Sequence, residues 1–353
     1  MNSAIESACA ALALSACFVA CARASQTAAV ASPAPQAAVA SPTQALELPG
    51  APGPLSLDYL FYERAPARVW VPTGGTGSVA VLDIGKHTLT RIDGFRTAQR
   101  EAHGRMRSLG PSSGTVGDGF AYVGNRASQE VCTIDLKSLH AGGCLKLPAP
   151  PDGVQYVAST HEVWVTAPDI RSLLVLQAHE SGELTLQATI ELPGEPEGYA
   201  VDAIHGRFLT NLEDANQTLS IDLKTHRVLT TWPAGCDASG PRGIAVDAEN
   251  EIVLVACTDH VTTLDGRSGL GLAQLATGAG LDNIDYDPIR HLLYAASGKA
   301  ARVTVASVGA RGQLTLRAQR ETAPGARNAI ADANGTIYVA DAQHARLLVL
   351  PPL

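Results

Sequence analysis

Hydrophobic residues along this chain come in short runs of four to seven, rich in Val, Ile, Leu, Thr and Tyr and separated by Gly, Pro, Asn and Asp. Such runs read as strands, and no segment sustains the 3.6-residue period of an amphipathic helix. One kind of run recurs at a nearly fixed interval: VAVLD ending at Asp83, CTID at Asp135, LLVLQ at Gln177, LSID at Asp222, VTTLD at Asp265, VTVAS at Ser307 and RLLVLP at Pro351. The spacings are 52, 42, 45, 43, 42 and 44 residues, the size of one four-stranded propeller blade. The long first spacing places an insertion around Thr97–Pro111. Within each unit a strand opened by Gly or Asn (GVQYVAS, GYAVDAI, GIAVDAE, NIDYDPI, NAIADAN) precedes a second (EVWVTAP, RFLTNLE, IVLVACT, LLYAASG, TIYVADA), then the Asp-ended third and a variable fourth. The Asp suits the turn into the fourth strand, because its carboxylate can accept a backbone N–H two residues on.

The expected fold is therefore all-β: a seven-bladed β-propeller of four-stranded blades over residues 46–353, closed by pairing of N- and C-terminal strands. The C-terminal run Leu347–Leu353 supplies the third strand of the last blade and then stops, leaving Leu46–Leu48 as the candidate for its fourth. Closure of this kind removes an exposed sheet edge.

The segment Asn211–Pro233, NLEDANQTLSIDLKTHRVLTTWP, followed by Gly240–Asp247, GPRGIAVD, resembles the YVTN-repeat (YncE-like) seven-bladed propellers. Phe208-Leu-Thr-Asn211, Tyr122-Val-Gly-Asn125 and Tyr338-Val-Ala-Asp341 are the nearest forms of the name-giving tetrapeptide. The resemblance runs from about Leu46 to Leu353 and implies the fold, while fold does not fix function.

Ahead of the repeats, Ala8–Ala22 contains no charge and is followed by Arg23, too short for a bilayer span and suited to a signal-peptide core. Leu14-Ser15-Ala16-Cys17 resembles the bacterial lipobox, which implies lipidation at Cys17; Phe18-Val19-Ala20-Cys21 is a second candidate, and Ala22-Arg23-Ala24 reads alternatively as an ordinary cleavage site. The segment before this core lacks Lys and Arg and carries Glu6. Residues 25–45 are almost entirely Ala, Ser, Pro, Thr, Gln and Val, a composition that cannot bury enough surface to fold and reads as a disordered tether after a signal segment at 1–24. The expected location is the bacterial periplasm, as an outer-membrane lipoprotein.

Seven cysteines are present; three lie in the signal region and Cys132, Cys144, Cys236 and Cys257 in the body. Cys132 and Cys144 bracket one apparent hairpin, Cys236 and Cys257 another, which predicts those two disulfides among three connectivities, with four separate thiols as the alternative. The 26 basic and 34 acidic residues give a net charge of −8, without long runs of either sign, which argues against a nucleic-acid protein held by a basic face.

Propeller loops that lead into the innermost strands converge at one mouth of the central channel. Aligning the units places His103, Asp152, Glu197, Arg242, Asp282 and Arg327 there, with Asn283 and Asn328 beside the last two; Asp58 is the polar candidate in the first unit. The loops after the second strands add Asn125, Arg126, Asn211, Glu213, Asp259 and Lys299, among others. Such a mixed ring would recognise a polar ligand, the arginines binding carboxylate or phosphate and the acids an amine or cation. No cofactor is expected, yet Asp152, Glu197, Asp282 and Asn283 could hold a hard cation such as Ca²⁺. Gly74–Gly77 looks like a phosphate loop but has no helix after it, so it reads as a turn. No nucleophile motif is present. These features point to a monomeric binding or scaffold protein for a small ligand, glycan or envelope protein, with a membrane contact made by the lipid anchor alone. The alternative is a metal-dependent lactonase-type hydrolase; the gluconolactonase-like propellers resemble this chain at openings such as Pro151-Asp152-Gly153.

Overall fold

A computed structural model describes residues 44–353, apart from Pro52, His103, Gly104 and Ala238. The expected signal segment, the expected lipidation site Cys17 and nearly all of the expected tether lie outside the described residues. Seven four-stranded antiparallel sheets stand around an axis. Blade 1 comprises Phe61–Glu63, Arg68–Pro72, Val79–Asp83 and Thr88–Ile92. The innermost strands of blades 2 to 7 are Pro111–Gly117, Val154–Val157, Pro196–Asp202, Ile244–Asp247, Leu281–Asp287 and Ala329–Ala331. Each touches the next, and the last touches the first, so the ring is closed.

Closure follows the expected device. Gln44–Glu47 pairs antiparallel with Arg346–Leu350, with Leu46 opposite Leu347, and forms the outer strand of blade 7. Leu48 is buried against residues of blades 1 and 7. Seven hydrophobic clusters fill the seven gaps between neighbouring blades. The period of two explains them: Val69 and Val71 face blade 7 while the intervening Trp70 faces blade 2. Trp164 likewise stacks on Phe208 of blade 4 at 4.6 Å, and its indole N–H donates to the buried Glu162 at 3.0 Å. Burying these rings together with the Val, Leu, Ile and Ala side chains of the clusters drives blade packing.

The recurrent Asp after the third strand has the structural role its position suggests. Asp135, Asp222 and Asp265 each accept backbone N–H groups two and three residues on, the nearer contact at 2.7–2.8 Å. Both disulfides form as paired from the sequence, Cys132 with Cys144 directly across two strands and Cys236, in the loop ahead of blade 5, with Cys257, just after that blade's second strand. The insertion is a separate hairpin, Ala98–Ala102 with Arg105–Leu109. It docks on the turn Gly74–Thr76, where a Cβ on Gly110 would come within 1.9 Å of the Gly74 carbonyl. Glycine at 110 is what permits this close approach.

Candidate functional site

Asp58 stands just before the first innermost strand, at the centre of an ion-pair arc that crosses five blades. One carboxylate oxygen accepts from Arg126 Nη1 of blade 2 at 2.6 Å; the other accepts from Arg327 Nη2 of blade 7 at 2.8 Å. Arg126 reaches on to Asp152 of blade 3, and Arg327 lies 3.2 Å from Asp282 of blade 6. On the remaining side Arg242 of blade 5 pairs with Glu213 of blade 4. Asp152, Arg242, Asp282 and Arg327 take part in these pairs, and Glu197 lines the cavity that Asp152 and Arg126 share.

Two β-bulges help to shape this mouth. Between Pro196 and Tyr199, and again between Leu281 and Ile284, the inner strand carries one residue more than its partner. A bulge breaks the alternation and re-aims side chains; here the irregular segments hold Glu197, Asp282 and Asn283. Glu197, Asp152 and Arg126 line a cavity of about 460 Å³ whose outer wall is the inserted hairpin, through Arg100 and Arg107. Arg242, Asp282, Lys299 and Arg327 line a second of about 660 Å³. Beneath both, the central channel holds about 540 Å³ and is lined by Tyr59, Tyr199 and Asn283 among others. The Tyr59 and Tyr199 rings lie 5.4 Å apart, and the Tyr59 hydroxyl faces Asp152 at 3.4 Å.

Other expected residues are placed differently. His103 lies outside the described residues, and the residue that stands before the inner strand of blade 2 is Gly110. Asn328 is buried and turned into the joint with blade 1, its amide donating to the Leu57 carbonyl at 3.5 Å. Asn283 lines the channel while its side-chain oxygen accepts the Ile284 N–H at 2.9 Å. Asn125 and Asn211 are buried and hold backbone, Asn211 donating to the carbonyls of Arg242 and Gly243. Among the described residues, the one set of three His, Cys, Asp or Glu ligand atoms within 4.8 Å of one another is Glu130, Cys132 and Cys144, whose sulfurs are joined. Asp152, Glu197 and Asp282 do not form such a set, and two of them already face arginines.

Tyr59 and Tyr199 carry no signal of their own in the sequence beyond their places, one residue after Asp58 and two after Glu197. Asp58, the polar candidate of the first unit, is the residue that joins the two halves of the arc. No local signal reveals that Asp58 is shared by two arginines 68 and 269 residues away.

Charge crowding sets the protonation of the mouth. Burial alone would raise the Asp58 carboxyl, but the guanidinium groups of Arg126, Arg327 and Arg107 outweigh it and hold it below its ordinary value. Burial pushes Glu197 up to about 8, reinforced by the charges of Asp282, Glu213 and Asp58 and opposed by Arg126. Burial also raises Asp282, against the pull of Arg327 and Arg242. Tyr59 is raised well above its ordinary value by burial and by the neighbouring Glu197.

No protein-family model and no curated protein matches the chain. Solved structures do. Virginiamycin B lyase from Staphylococcus aureus superposes with a TM-score of 0.67 at 14% identity, over 88% of this chain and 99% of that one. Hydrazine synthase from Kuenenia stuttgartiensis gives 0.68 at 15%, over 86% and 97%. The Cps50 (Swd1) β-propeller domain from Myceliophteria thermophila gives 0.67 at 10%, over 88% and 100%. At these identities the likeness carries the propeller fold alone.

Proposed function

We propose that this protein is a cell-envelope binding or scaffold protein of the YncE-like kind, a lipid-tethered propeller that recognises a ligand or protein segment at its channel mouth. The observation that carries the reading is the arc Asp152–Arg126–Asp58–Arg327–Asp282, which gathers groups from five blades around cavities open to solvent. Arg126 and Arg327 keep 28% and 44% of their side-chain surface exposed, so donors remain for a ligand. Two disulfides fit an oxidising, extracytoplasmic compartment, and no helix among the described residues is long and apolar enough to cross a membrane.

A thermal-shift screen of small amines, carboxylates, sugars and lactones tests the binding role. A ligand specific to the mouth stabilises the native state by RT ln(1 + [L]/Kd), and Arg126→Gln or Glu197→Gln should change that shift. A ligand whose shift survives Arg126→Gln and Glu197→Gln binds elsewhere and removes the reading. The hydrolase alternative is checked in the same plates: lactone turnover that EDTA and Asp282→Ala both abolish would replace binding with catalysis. For the anchor, palmitate labelling of wild type but not of Cys17→Ser is the expected result.

A further inference from the structure

The mouth holds more carboxylates than guanidinium groups. Asp58, Asp152, Glu197, Glu213 and Asp282 converge, against Arg126, Arg242 and Arg327. Each of those arginines is engaged by at least one of the other four acids, and among the described residues Glu197 makes neither an ion pair nor a side-chain hydrogen bond. The rim does not restore the balance. Arg100 faces Asp169 at 3.5 Å, Lys299 shares its cavity with Asp259, and Arg107 adds a single charge on the exposed hairpin, where Glu101 accompanies it. An independent feature adjoins it: two tyrosine rings, Tyr59 and Tyr199, tilted against each other at 5.4 Å, line the channel cavity, with the Tyr59 hydroxyl 3.4 Å from Asp152. Carboxylate excess beside aromatic faces is the environment that attracts an organic cation, since the negative face of a ring and a carboxylate both favour positive charge.

Building on the mouth-binding reading, the geometry points to an organic ammonium ion as the ligand class, its charge answering Glu197 and Asp282 and its carbon body lying against Tyr59 and Tyr199. The apo mouth meets its excess negative charge by keeping a proton on Glu197, whose carboxyl is pushed up to about 8. The incoming cation takes the place of that proton, which leaves to solvent. Affinity should therefore rise with pH by up to tenfold per unit below about 8 and level off above it.

Benzyltrimethylammonium, whose charge does not titrate, is the probe, with phenylacetate as the anion of similar body and Ca²⁺ as the hard cation. Isothermal calorimetry of the full chain at low salt, in buffers of different ionisation enthalpy, reads affinity and proton release together. Saturable binding of benzyltrimethylammonium with close to one proton released at pH 7 is expected. Glu197→Gln should weaken it at least tenfold above pH 8 and remove the proton release, while its melting temperature shows that it folds. Arg327→Gln, which deepens the negative excess, should tighten the cation. The inference is overturned if the probe does not saturate, if no proton is released, or if Ca²⁺ binds in its place. Phenylacetate binding that Arg327→Gln abolishes would also overturn it while leaving the mouth-binding reading intact; if mouth substitutions alter no binding at all, both fall.

Discussion

Asp58 shows how one side chain can organise a site assembled from the whole ring. It is nearly buried, accepts from two arginines, and sits below its ordinary titration range because their charges exceed its burial cost. Asp58→Asn should cost about 1.5–3 kcal/mol, the range for hydrogen bonds to charged groups, partly screened because both arginines reach solvent. The sign with pH is fixed: a carboxyl lowered in the folded state contributes stability above its unfolded value of about 3.9 and loses it as pH falls through the folded value. Melts from neutral to strongly acid pH should show the gap between wild type and Asp58→Asn closing at the acid end. Glu197 has the opposite sign. With its folded value at about 8, above about 4.3 when unfolded, its stabilising proton is held at low pH and lost as pH rises through 8. Glu197→Gln should melt with wild type near pH 4 and above it near pH 9; equal melting temperatures throughout would contradict the crowded mouth.

At the scale of elements, turns and cross-links are local features that sequence spacing exposes. The Asp turns form because a short carboxylate can satisfy two backbone donors at a chain reversal. The insertion near Thr97–Pro111 was visible as a long interval, although nothing in it announced a hairpin docked on Gly74–Thr76 and walling the mouth. Cys132 and Cys144 were paired through their hairpin, and the strands bring them face to face. Loops of 12 and 21 residues are worth about 3 kcal/mol each in the chain-entropy treatment. Replacing either pair by Ala should then lower the melting temperature by roughly 6 °C, at about 2 °C per kcal/mol for a domain of this size; calorimetry of the two double variants checks it.

For the whole molecule, the decisive element is the strand supplied from the other end of the chain. Gln44–Glu47 covers Arg346–Leu350, and Leu46 and Leu48 fill the gap between blades 7 and 1. Removing residues 1–48 should leave an open edge that pairs with other chains. Size-exclusion chromatography is expected to show self-association, with a lower melting temperature; a monomer of unchanged stability would mean that the ring closes without this strand.

By itself the sequence determined the blade number, the order of strands within each blade, the Asp turns, the disulfide partners and the closing strand. All of these follow from period, spacing and local turn chemistry, which neighbouring residues encode. Tertiary structure alone decided which charges meet. Bulges redirected the segments carrying Glu197 and Asp282, Asn328 was drawn into a blade joint, and Asp58 acquired partners from the blades on either side, 2 and 7. The protonation of Glu197 depends on acids from three different blades and on how much water reaches them, quantities that exist only once the ring is closed.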